Sequence, residues 1–338
     1  MRKILVTGGL GFIGSHFVRL LLHEKMCDAV TVLDSYTYAA NPANLADFEN
    51  DPRLSVVRGD ICDPASVGEA IGGSVDAIVN FAAETHVDRA IIEPDRFIRT
   101  NVLGMQVLLE AARSGIVGRF VHVSTDEVYG EIGTGTASED APLAPRSPYA
   151  ASKAGADLLA LAAFTTYGLP VLITRGSNTY GPNQYPEKLV PLFVTNLCEG
   201  KPLPLYGDGL HERDWIHVED HARGIALVLQ NGSPGSVYNI GVSRPRTNLE
   251  LARAIVSLCG GDFQRDVRHV KDRPGHDRRY CVDASRIRAL GWSPRYDFDS
   301  GLRATVEWYR NNAAWWKPIK SGEFQEYYRR QYAERLSH

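Results

Sequence analysis

No stretch of this sequence approaches the ~20 consecutive apolar residues that a membrane-spanning helix needs. The apolar run in the opening MRKILVTGG is too short for a signal peptide, and glycines interrupt it. An excess of charge of one sign is also lacking, because 37 Lys and Arg residues against 40 Asp and Glu residues leave a formal net charge of −3. We therefore expect neither a membrane nor a nucleic acid as a partner.

Spacings typical of disulfide frameworks or metal sites are missing as well. The five cysteines are scattered, odd in number and form no C-x-x-C motif, and the ten histidines do not cluster along the chain. This pattern indicates reduced thiols in a cytoplasmic protein and predicts no structural or catalytic metal.

The first half of the chain alternates short apolar runs with helical patterns. The predicted strands are Lys3–Val6, Ala29–Leu33, Leu54–Val57, Ala77–Phe81, Phe120–Val123 and Val171–Thr174, and the predicted helices are Phe17–Leu22, Val102–Ala112 and Pro148–Phe164. Strands and helices in regular alternation predict an α/β fold with a doubly wound parallel sheet of the Rossmann type.

After residue 180 the alternation ends, and a smaller interleaved α+β substrate-binding lobe is expected. Tyr180–Lys188 reads as a loop, and a helix (Leu189–Cys198), a strand (Leu203–Tyr206), a helix (Glu219–Leu229) and a strand (Val237–Ile240) follow. We assign residues 1–178 to the nucleotide-binding domain, with 215–242 returning to it. Residues 179–214 and 243–316 form the lobe, and 317–338 form a tail to which the sequence assigns no role.

A glycine-rich turn joins the first strand to the first helix. Gly8, Gly11 and Gly14 have the spacing G-x-x-G-x-x-G, which lets a backbone approach a pyrophosphate at a helix N-terminus. An ordinary strand–helix turn is the alternative. Asp34 ends the second strand 20 residues after Gly14, where a carboxylate can bind ribose hydroxyls and repel a 2′-phosphate, which favours NAD over NADP. Asp34 could instead only start a turn.

Two other segments are expected to contact the cofactor. Asp60 follows the third strand and could reach the adenine, and the small side chains of Ala82 and Ala83, after Phe81, would let the cofactor lie across the fourth strand.

Tyr149 and Lys153 lie four residues apart on a predicted helix and so share one face. The lysine charge is expected to lower the pKa of the tyrosine, which makes the phenolate a general base for an alcohol proton. Thr125, at the end of the fifth strand, would join this network. A solvated helix face is the alternative.

Asp126 and Glu127 follow Thr125 at a strand end, where α/β sheets bind ligands. A simple alcohol dehydrogenase needs no such pair. Two carboxylates become useful when a carbon-bound proton must be removed and a leaving hydroxyl protonated. The alternative is a polar loop that caps a turn.

These residues resemble a known family. The segments TGGLGFIG, FAAETHVDR, STDEVYG, SPYAASK, SNTYGP, PEKL, RDW and DRPGHDRR are similar to the extended short-chain dehydrogenase/reductases and, within them, to the dTDP-glucose 4,6-dehydratases. The resemblance runs from residue 1 to about 316. The Asp-Glu pair after the threonine distinguishes these dehydratases from the related epimerases.

The resemblance implies a hydro-lyase reaction on a dTDP-hexose, with tightly bound NAD⁺ that is regenerated in each turnover. Tyr149 would take the proton of the 4-hydroxyl while C4 passes hydride to NAD⁺. Glu127 would then remove the C5 proton, and Asp126 would protonate the departing 6-hydroxyl. Hydride would return to C6 and leave a 4-keto-6-deoxy sugar nucleotide.

The resemblance also implies the binding residues and a homodimer. Further cofactor contacts are Phe12, Ile13, Ser35, Thr37, Ile61, Thr100 and Thr179, besides Tyr149 and Lys153. Hexose contacts are Thr85, Thr125 and Asn178; contacts of the remaining substrate are Lys188, Leu189, Pro204, Tyr206, Arg213, Asn248 and the stretch Asp272–His276. The dimer would use the helices near 102–113 and 150–165, although Val102, Leu108, Leu109 and Ala112 could equally be core.

Alternatives remain at several positions. Asn178 could cap a turn, and Arg213 could pair with Asp214 or Glu219. Gly176, Ser177 and Thr179 depart from the family's usual residues, and either a freer space at Gly176 or a lost hydrogen bond at Thr179 could signal a modified hexose.

Four other functions remain open beside the dTDP-glucose dehydratase. A sugar-nucleotide 4-epimerase or a dehydratase of another nucleotide hexose would use the same scaffold. A decarboxylase of UDP-glucuronate would need a charge partner for the substrate carboxylate. A non-catalytic NAD-binding regulator would not need the Tyr149–Lys153 pair that this chain retains.

Overall fold

Short apolar runs form the strands of the protein. The computed structural model describes residues 1–115, 117–322, 324–326, 328 and 329 of the 338. Its strands are β1 (Lys3–Thr7), β2 (Ala29–Asp34), β3 (Leu54–Arg58), β4 (Ala77–Asn80), β5 (Arg119–Thr125), β6 (Val171–Gly176), β7 (Asn178–Tyr180), β8 (Leu203–Tyr206), β9 (Glu212–His217), β10 (Val237–Ile240), β11 (Pro245–Thr247) and β12 (Val267–Val270).

Seven strands form one parallel sheet in the order β10-β6-β5-β4-β1-β2-β3. The chain runs outward from β1 in one direction and then, from β4, in the other, so the carboxyl ends of β1 and β4 flank the point where the order reverses. Sheets of this kind bind ligands in the crevice outside that point. The doubly wound Rossmann-type sheet is thereby confirmed.

Helices cover both faces of this sheet and also form part of the smaller lobe. They are α1 (Phe12–His23), α2 (Pro64–Ile71), α3 (Val87–Ile92), α4 (Pro94–Phe97), α5 (Gly104–Ser114), α6 (Pro148–Tyr167), α7 (Leu189–Cys198), α8 (Val218–Asn231), α9 (Asn248–Cys259), α10 (Phe263–Asp266), α11 (Ser285–Ala289), α12 (Phe298–Asn311) and α13 (Ala313–Ile319). One apolar cluster packs α1 and α8 against the sheet, and a second packs α2, α5 and α6 against the other face. Because both faces are covered, the inner strands are apolar on both sides.

The second half of the chain builds a lobe around a third apolar cluster, which contains Phe193, Tyr309 and Trp316. Two small sheets belong to it, in the orders β11-β9-β7 and β12-β8. The chain then returns to the main sheet through α8, which packs on α1, and β10, which pairs with β6. Residues 215–217 belong to β9 of the small sheet. The domain boundaries stay predictions.

Three local expectations differ from the structure. Tyr180 ends strand β7 instead of starting a loop, because this short strand pairs in parallel with β9. The helix expected from Val102 is preceded by a π-helical turn, Ile98–Leu103, and α5 begins at Gly104. Half of the predicted tail, 317–338, lies outside the described residues.

The structure also shows the state of the cysteines and the character of the helices. The five cysteines are all free thiols. Within the described part of the chain, every helix is too short or too polar to cross a bilayer.

Candidate active site

The glycine loop between β1 and α1 is shaped by close backbone contacts. Gly8 has φ of 68°, and a Cβ there would lie 2.7 Å from the amide nitrogen of Ala82. A Cβ at Gly14 would overlap the carbonyl oxygen of Gly8, so α1 can approach the loop only without a side chain there. Gly11 caps α1 without a side-chain hydrogen bond, which leaves the first amides of the helix free for an anion.

A cavity of about 500 Å³ opens at the carboxyl ends of the main strands, beside this loop. It collects every cofactor residue expected from the sequence. These are Gly8, Gly11, Phe12, Ile13, Gly14, Asp34, Ser35, Thr37, Asp60, Ile61, Phe81, Ala82, Ala83, Thr100, Tyr149, Lys153 and Thr179. Together with the free amides of α1, this lining fits a dinucleotide.

Asp34 both lines the cavity and holds the glycine loop. Its carboxylate accepts hydrogen bonds from the amides of Leu10 and Tyr36, each at 3.0 Å. Asp34 therefore stabilises a turn, as the alternative proposed, and also lines the cavity. Burial raises the pKa of this carboxyl, and the two amide hydrogen bonds oppose that shift.

Tyr149 and Lys153 lie on the first turns of α6, which Ser147 caps. Their exposures of 7% and 3% exclude the solvated helix face. Lys153 Nζ donates to the carbonyl of Val123 at 2.7 Å. Burial lowers the pKa of Lys153 to about 8, while the charge of Asp157 acts to raise it.

The pKa of Tyr149 is raised overall, against the expected lowering. Burial, followed by the Glu127 charge, raises the pKa of this phenol, and the Thr125 side chain opposes that shift. The physical reason is that the tyrosine shares a desolvated cavity with two carboxyl groups. A cationic ligand would have to offset them.

The two carboxyl groups follow β5 on a short 3₁₀ helix, Asp126–Tyr129. The Thr125 hydroxyl caps it by accepting from the Glu127 amide at 3.3 Å, so neither carboxylate serves as the cap. The same hydroxyl donates to Asp126 Oδ1 at 3.3 Å, whereas Oδ2 is buried without a hydrogen-bond partner among the described residues. Both side chains line the cavity beside Tyr149.

The surroundings of the two carboxyl groups differ in charge. Burial and then the negative charge of Glu127 raise the pKa of Asp126 well above its usual range. Burial also raises the pKa of Glu127, but Arg273 and Arg213 oppose that shift. Such a pair of environments separates a protonated acid from an ionised base.

The residues expected to bind substrate fall into two groups. Thr85, Thr125, Asn178 and Lys188 line the cavity, and Lys188 Nζ donates to the Thr85 carbonyl at 3.1 Å. The others lie outside the cavity lining, on the lobe. They are Leu189, Pro204, Tyr206, Arg213, Asn248, Asp272 and His276.

Arg213 is buried and donates to the carbonyls of Glu212, Asp277 and Arg278 at 2.7–3.3 Å. The alternative that Arg213 pairs with Asp214 is wrong, because the Asp214 carboxylate accepts hydrogen bonds from the backbone amides of Ser243 and Arg244. The Asn178 Oδ1 atom is buried without a partner among the described residues, so a turn cap does not explain it.

His211, Asp272 and His276 form the one group within the described ranges that could hold a metal ion. Asp272 accepts from His276 at 2.7 Å and lies 3.2 Å from His211, and the two imidazoles are stacked at 3.8 Å. Burial and then the charge of Arg273 lower the pKa of His276. A positive field of this kind favours an anion such as a diphosphate over a cation. The absence of a metal stays a prediction.

The comparison with known proteins decides the family. A family model described as GDP-mannose 4,6 dehydratase matches residues 5–305.

The chain belongs to the GDP-mannose 4,6-dehydratase family.

Within this 4,6-dehydratase family, the chain is similar to dTDP-glucose 4,6-dehydratases. One from Streptomyces niveus is 55% identical over 324 residues, which cover 94% of this chain and 96% of that protein. DesIV, the dTDP-glucose 4,6-dehydratase of Streptomyces venezuelae, has a crystal structure with NAD bound. It is 55% identical, with a TM-score of 0.92 and coverage of 94% of this chain and all of that chain.

The fold extends to another reaction. A UDP-glucose 4-epimerase of Thermus thermophilus, solved with NAD, is 32% identical with a TM-score of 0.85, and the match covers 92% of this chain and 99% of that one. The backbone therefore does not distinguish dehydratase from epimerase, and the Asp126–Glu127 pair has to.

Several lining residues of this 4,6-dehydratase site were not expected from the sequence. Glu187 accepts from Tyr38 at 3.0 Å and from Arg89 at 3.1 Å, and its place in the PEKL segment could have indicated it. Glu84 pairs with Arg96 at 3.2 Å. His221 also lines the cavity, and no sequence signal connects it to the site, since it lies on α8.

The prediction of freer space at Gly176 is wrong. A Cβ at Gly176 would overlap the Cε1 and Nε2 atoms of His221, so the imidazole already fills that space. Thr179 Oγ1 makes a hydrogen bond with His221 Nδ1 at 2.7 Å, and the loss of a hydrogen bond from Thr179 to the nicotinamide stays a prediction.

Proposed function

We propose that this protein is a hydro-lyase that converts a dTDP-hexose, with dTDP-glucose as the substrate, into the dTDP-4-keto-6-deoxyhexose. The observation that carries the proposal is the Asp126–Glu127 pair in the same cavity as Tyr149 and Lys153. Relatives at 51–55% identity over more than nine tenths of the chain are dTDP-glucose 4,6-dehydratases, which supports the same reading.

When bound, NAD⁺ supplies the hydride acceptor for C4 and the hydride donor for C6. The residues that fit it are the glycine loop, Asp34 and the cavity wall along Phe81–Ala83. Tyr149 takes the proton of the 4-hydroxyl, and Thr125 lines the cavity beside it. Lys153 provides the positive charge beside this proton transfer and holds its place through the Val123 carbonyl.

The elimination step uses the carboxyl pair. Burial and the negative charge of Glu127 raise the pKa of Asp126, which favours the protonated acid that can donate a proton to the leaving 6-hydroxyl. The cationic side of the site, Arg213 and Arg273, favours ionised Glu127, which removes the C5 proton once C4 is a ketone. An epimerase has no use for this second acid–base step.

Binding of the substrate diphosphate is assigned to the cations that border the cavity. Lys188 lies beside Thr85, and Arg213 is fixed by three backbone carbonyls. Tyr206, Asn248, Asp272 and His276 belong to the lobe wall that would cover the nucleoside. Planar guanidinium groups suit oxyanions with this geometry.

We further infer a homodimer. Leu108, Leu109 and Ala112 are buried in the core, which is the alternative to their being interface residues. The exposed apolar side chains lie elsewhere on these helices: Leu103 is 57% exposed, Leu158 58% and Tyr167 60%. Apolar area of this kind around α5 and α6 is typical of an interface between copies. A cytoplasmic location remains a prediction from the cysteine pattern.

The dimer is tested by light scattering on Leu158→Glu, which should be monomeric. Val56→Glu, a change at a residue 42% exposed on the edge strand β3, is the matched control and should stay dimeric. If the wild type is itself a monomer, the dimer proposal fails.

The substrate is tested by incubating the purified protein with dTDP-glucose or, in parallel, with UDP-glucose and GDP-mannose. Alkali converts 4-keto-6-deoxy sugars to an absorbing product, and dTDP-glucose should give the largest signal. A larger signal with another nucleotide sugar would reassign the substrate and keep the reaction. No signal with any of them would remove the dehydratase proposal.

A further inference from the structure

The end of strand β6 packs unusually closely on helix α8. His221, on α8, is 2% exposed, and its imidazole occupies the space that a side chain at Gly176 would need. The same ring contacts Thr179 through its Nδ1 atom at 2.7 Å. Gly176 and Thr179 therefore fix the position of one imidazole against the cavity wall.

One arrangement of the hydrogen bonds leaves His221 Nε2 free to accept. In it the Thr179 hydroxyl donates its single hydrogen to the Ser177 carbonyl at 3.1 Å and accepts from His221 Nδ1 at 2.7 Å. Burial lowers the pKa of His221 to about 4, so the ring is neutral at physiological pH. Nε2 is then a bare lone-pair acceptor.

This acceptor has no partner in the parts of the chain that the structure describes, and it is buried. His221 lines the cavity together with Gly176, Ser177 and Thr179. A buried acceptor that stays unpaired destabilises a protein by about 1–3 kcal/mol. A ligand N–H or O–H that reaches Nε2 would remove this penalty.

The order of the strands identifies the ligand group. Asp34 and Asp60 lie at the ends of β2 and β3, on the adenosine side of the glycine loop, whereas Gly176 ends β6 on the opposite side, beyond β5. A dinucleotide that spans the loop therefore has its nicotinamide near Gly176. Tyr149 and Lys153 offer polar groups from α6 in the same cavity, and the carboxamide amino group is the donor that a nicotinamide can present at the end of β6.

We propose that His221 is a cofactor-positioning residue whose Nε2 atom accepts a hydrogen bond from the carboxamide amino group of the nicotinamide. Gly176 makes room for the ring, and Thr179 holds it in the tautomer that accepts. The bond would fix the rotation of the nicotinamide ring and so the face that it presents to the sugar. The inference rests on NAD as the cofactor of the proposed function.

The test compares NAD⁺ with its 3-acetylpyridine analogue, in which a methyl ketone replaces the carboxamide and no amino group remains. Both are titrated calorimetrically into protein stripped of cofactor. Wild type should bind NAD⁺ about 5-fold to 150-fold more tightly, which is the range expected for one buried acceptor left unpaired. His221→Met should lose this preference, and His221→Gln, which keeps an acceptor, should retain part of it.

If His221 only fills space, His221→Met will weaken both dinucleotides equally and leave their ratio unchanged, which would overturn the proposal. Thr179→Val and Thr179→Ser provide a second pair if the histidine variants do not fold, and only the valine should reduce the preference. The nitrogen NMR spectrum of wild type should show the Nδ1–H tautomer of His221, and the Nε2–H tautomer would refute it. Binding of neither dinucleotide by wild type would remove the proposed function as well.

Discussion

Asp157 lies on α6 one turn beyond Lys153 and is completely buried. Its Oδ2 atom accepts from Arg175 Nε at 2.9 Å, and the side chains are 0% and 3% exposed. His122 Nε2 lies 3.6 Å from Asp157 Oδ1, but burial keeps the pKa of this histidine well below its usual value, so it adds no charge. Asp157→Asn preserves the shape and removes the one negative charge of this pair.

The loss of stability follows from the unpaired guanidinium. Removing one partner of a buried ion pair costs about 3–5 kcal/mol of unfolding free energy. Arg175 keeps hydrogen bonds to the Tyr129 hydroxyl at 2.9 Å and the Glu139 carbonyl at 3.3 Å, so we expect the low end, about 3 kcal/mol. The control is Glu110→Gln in the exposed pair with Arg113, where the side chains are 44% and 50% exposed. That pair should contribute less than about 1 kcal/mol.

The assay is urea unfolding of the cofactor-free protein, with both variants measured beside wild type. A loss below about 1 kcal/mol for Asp157→Asn, equal to the control, would refute the buried-pair reasoning. The variant should also lose activity. The charge of Asp157 raises the pKa of Lys153, which is about 8 in wild type, so its removal should lower that pKa further and leave less of the lysine protonated at neutral pH. Unchanged activity across the pH range would show that Asp157 does not act on Lys153.

Three further predictions concern the cofactor end and the lysine. The pKa of Lys153 is about 8 in the folded protein and 10.5 in the unfolded chain, so the unfolded state binds more protons between these pH values. The stability of wild type should therefore rise with pH across that window, and the stability of Lys153→Met should not. Denaturant midpoints measured at several pH values test this. Gly14→Ala should weaken NAD⁺ binding by about tenfold or more, since its Cβ would overlap the Gly8 carbonyl, whereas Gly68→Ala, with open space around its Cβ, should bind as wild type does in the same titration. Asp34→Asn should narrow the ratio of NAD⁺ to NADP⁺ affinity, because the charge that repels a 2′-phosphate is gone; an unchanged ratio would contradict that role.

The parts of the fold that could be predicted depend on local and periodic signals. The six first-half strands and the α7, β8 and β10 segments are short apolar runs bounded by turns, and they occur within one or two residues of the expected positions. β7 was missed because a three-residue strand exists only through its pairing with β9. The π-helical turn before α5 has no signal in single-residue propensities.

The site follows the same rule. The glycine loop, Asp34 and the Tyr149–Lys153 pair are contiguous or have fixed spacing, and all of them reach one cavity. His221 was missed because it is distant in sequence from the loop that it contacts. The pKa of Tyr149 was misjudged because the spacing to Lys153 is visible in the sequence, whereas burial and the nearby Glu127 charge are not.

The central claim is that one active site oxidises C4, eliminates water with Asp126 and Glu127, and returns the same hydride to C6. The most direct measurement is to convert dTDP-glucose that carries deuterium at C4 and to locate the label in the product by mass spectrometry and NMR. The dehydratase predicts deuterium at C6 of a 4-keto-6-deoxy sugar, with this product abolished in Glu127→Gln. Deuterium that stays at C4 of a sugar with an inverted hydroxyl, formed equally well by Glu127→Gln, would contradict the account and establish an epimerase.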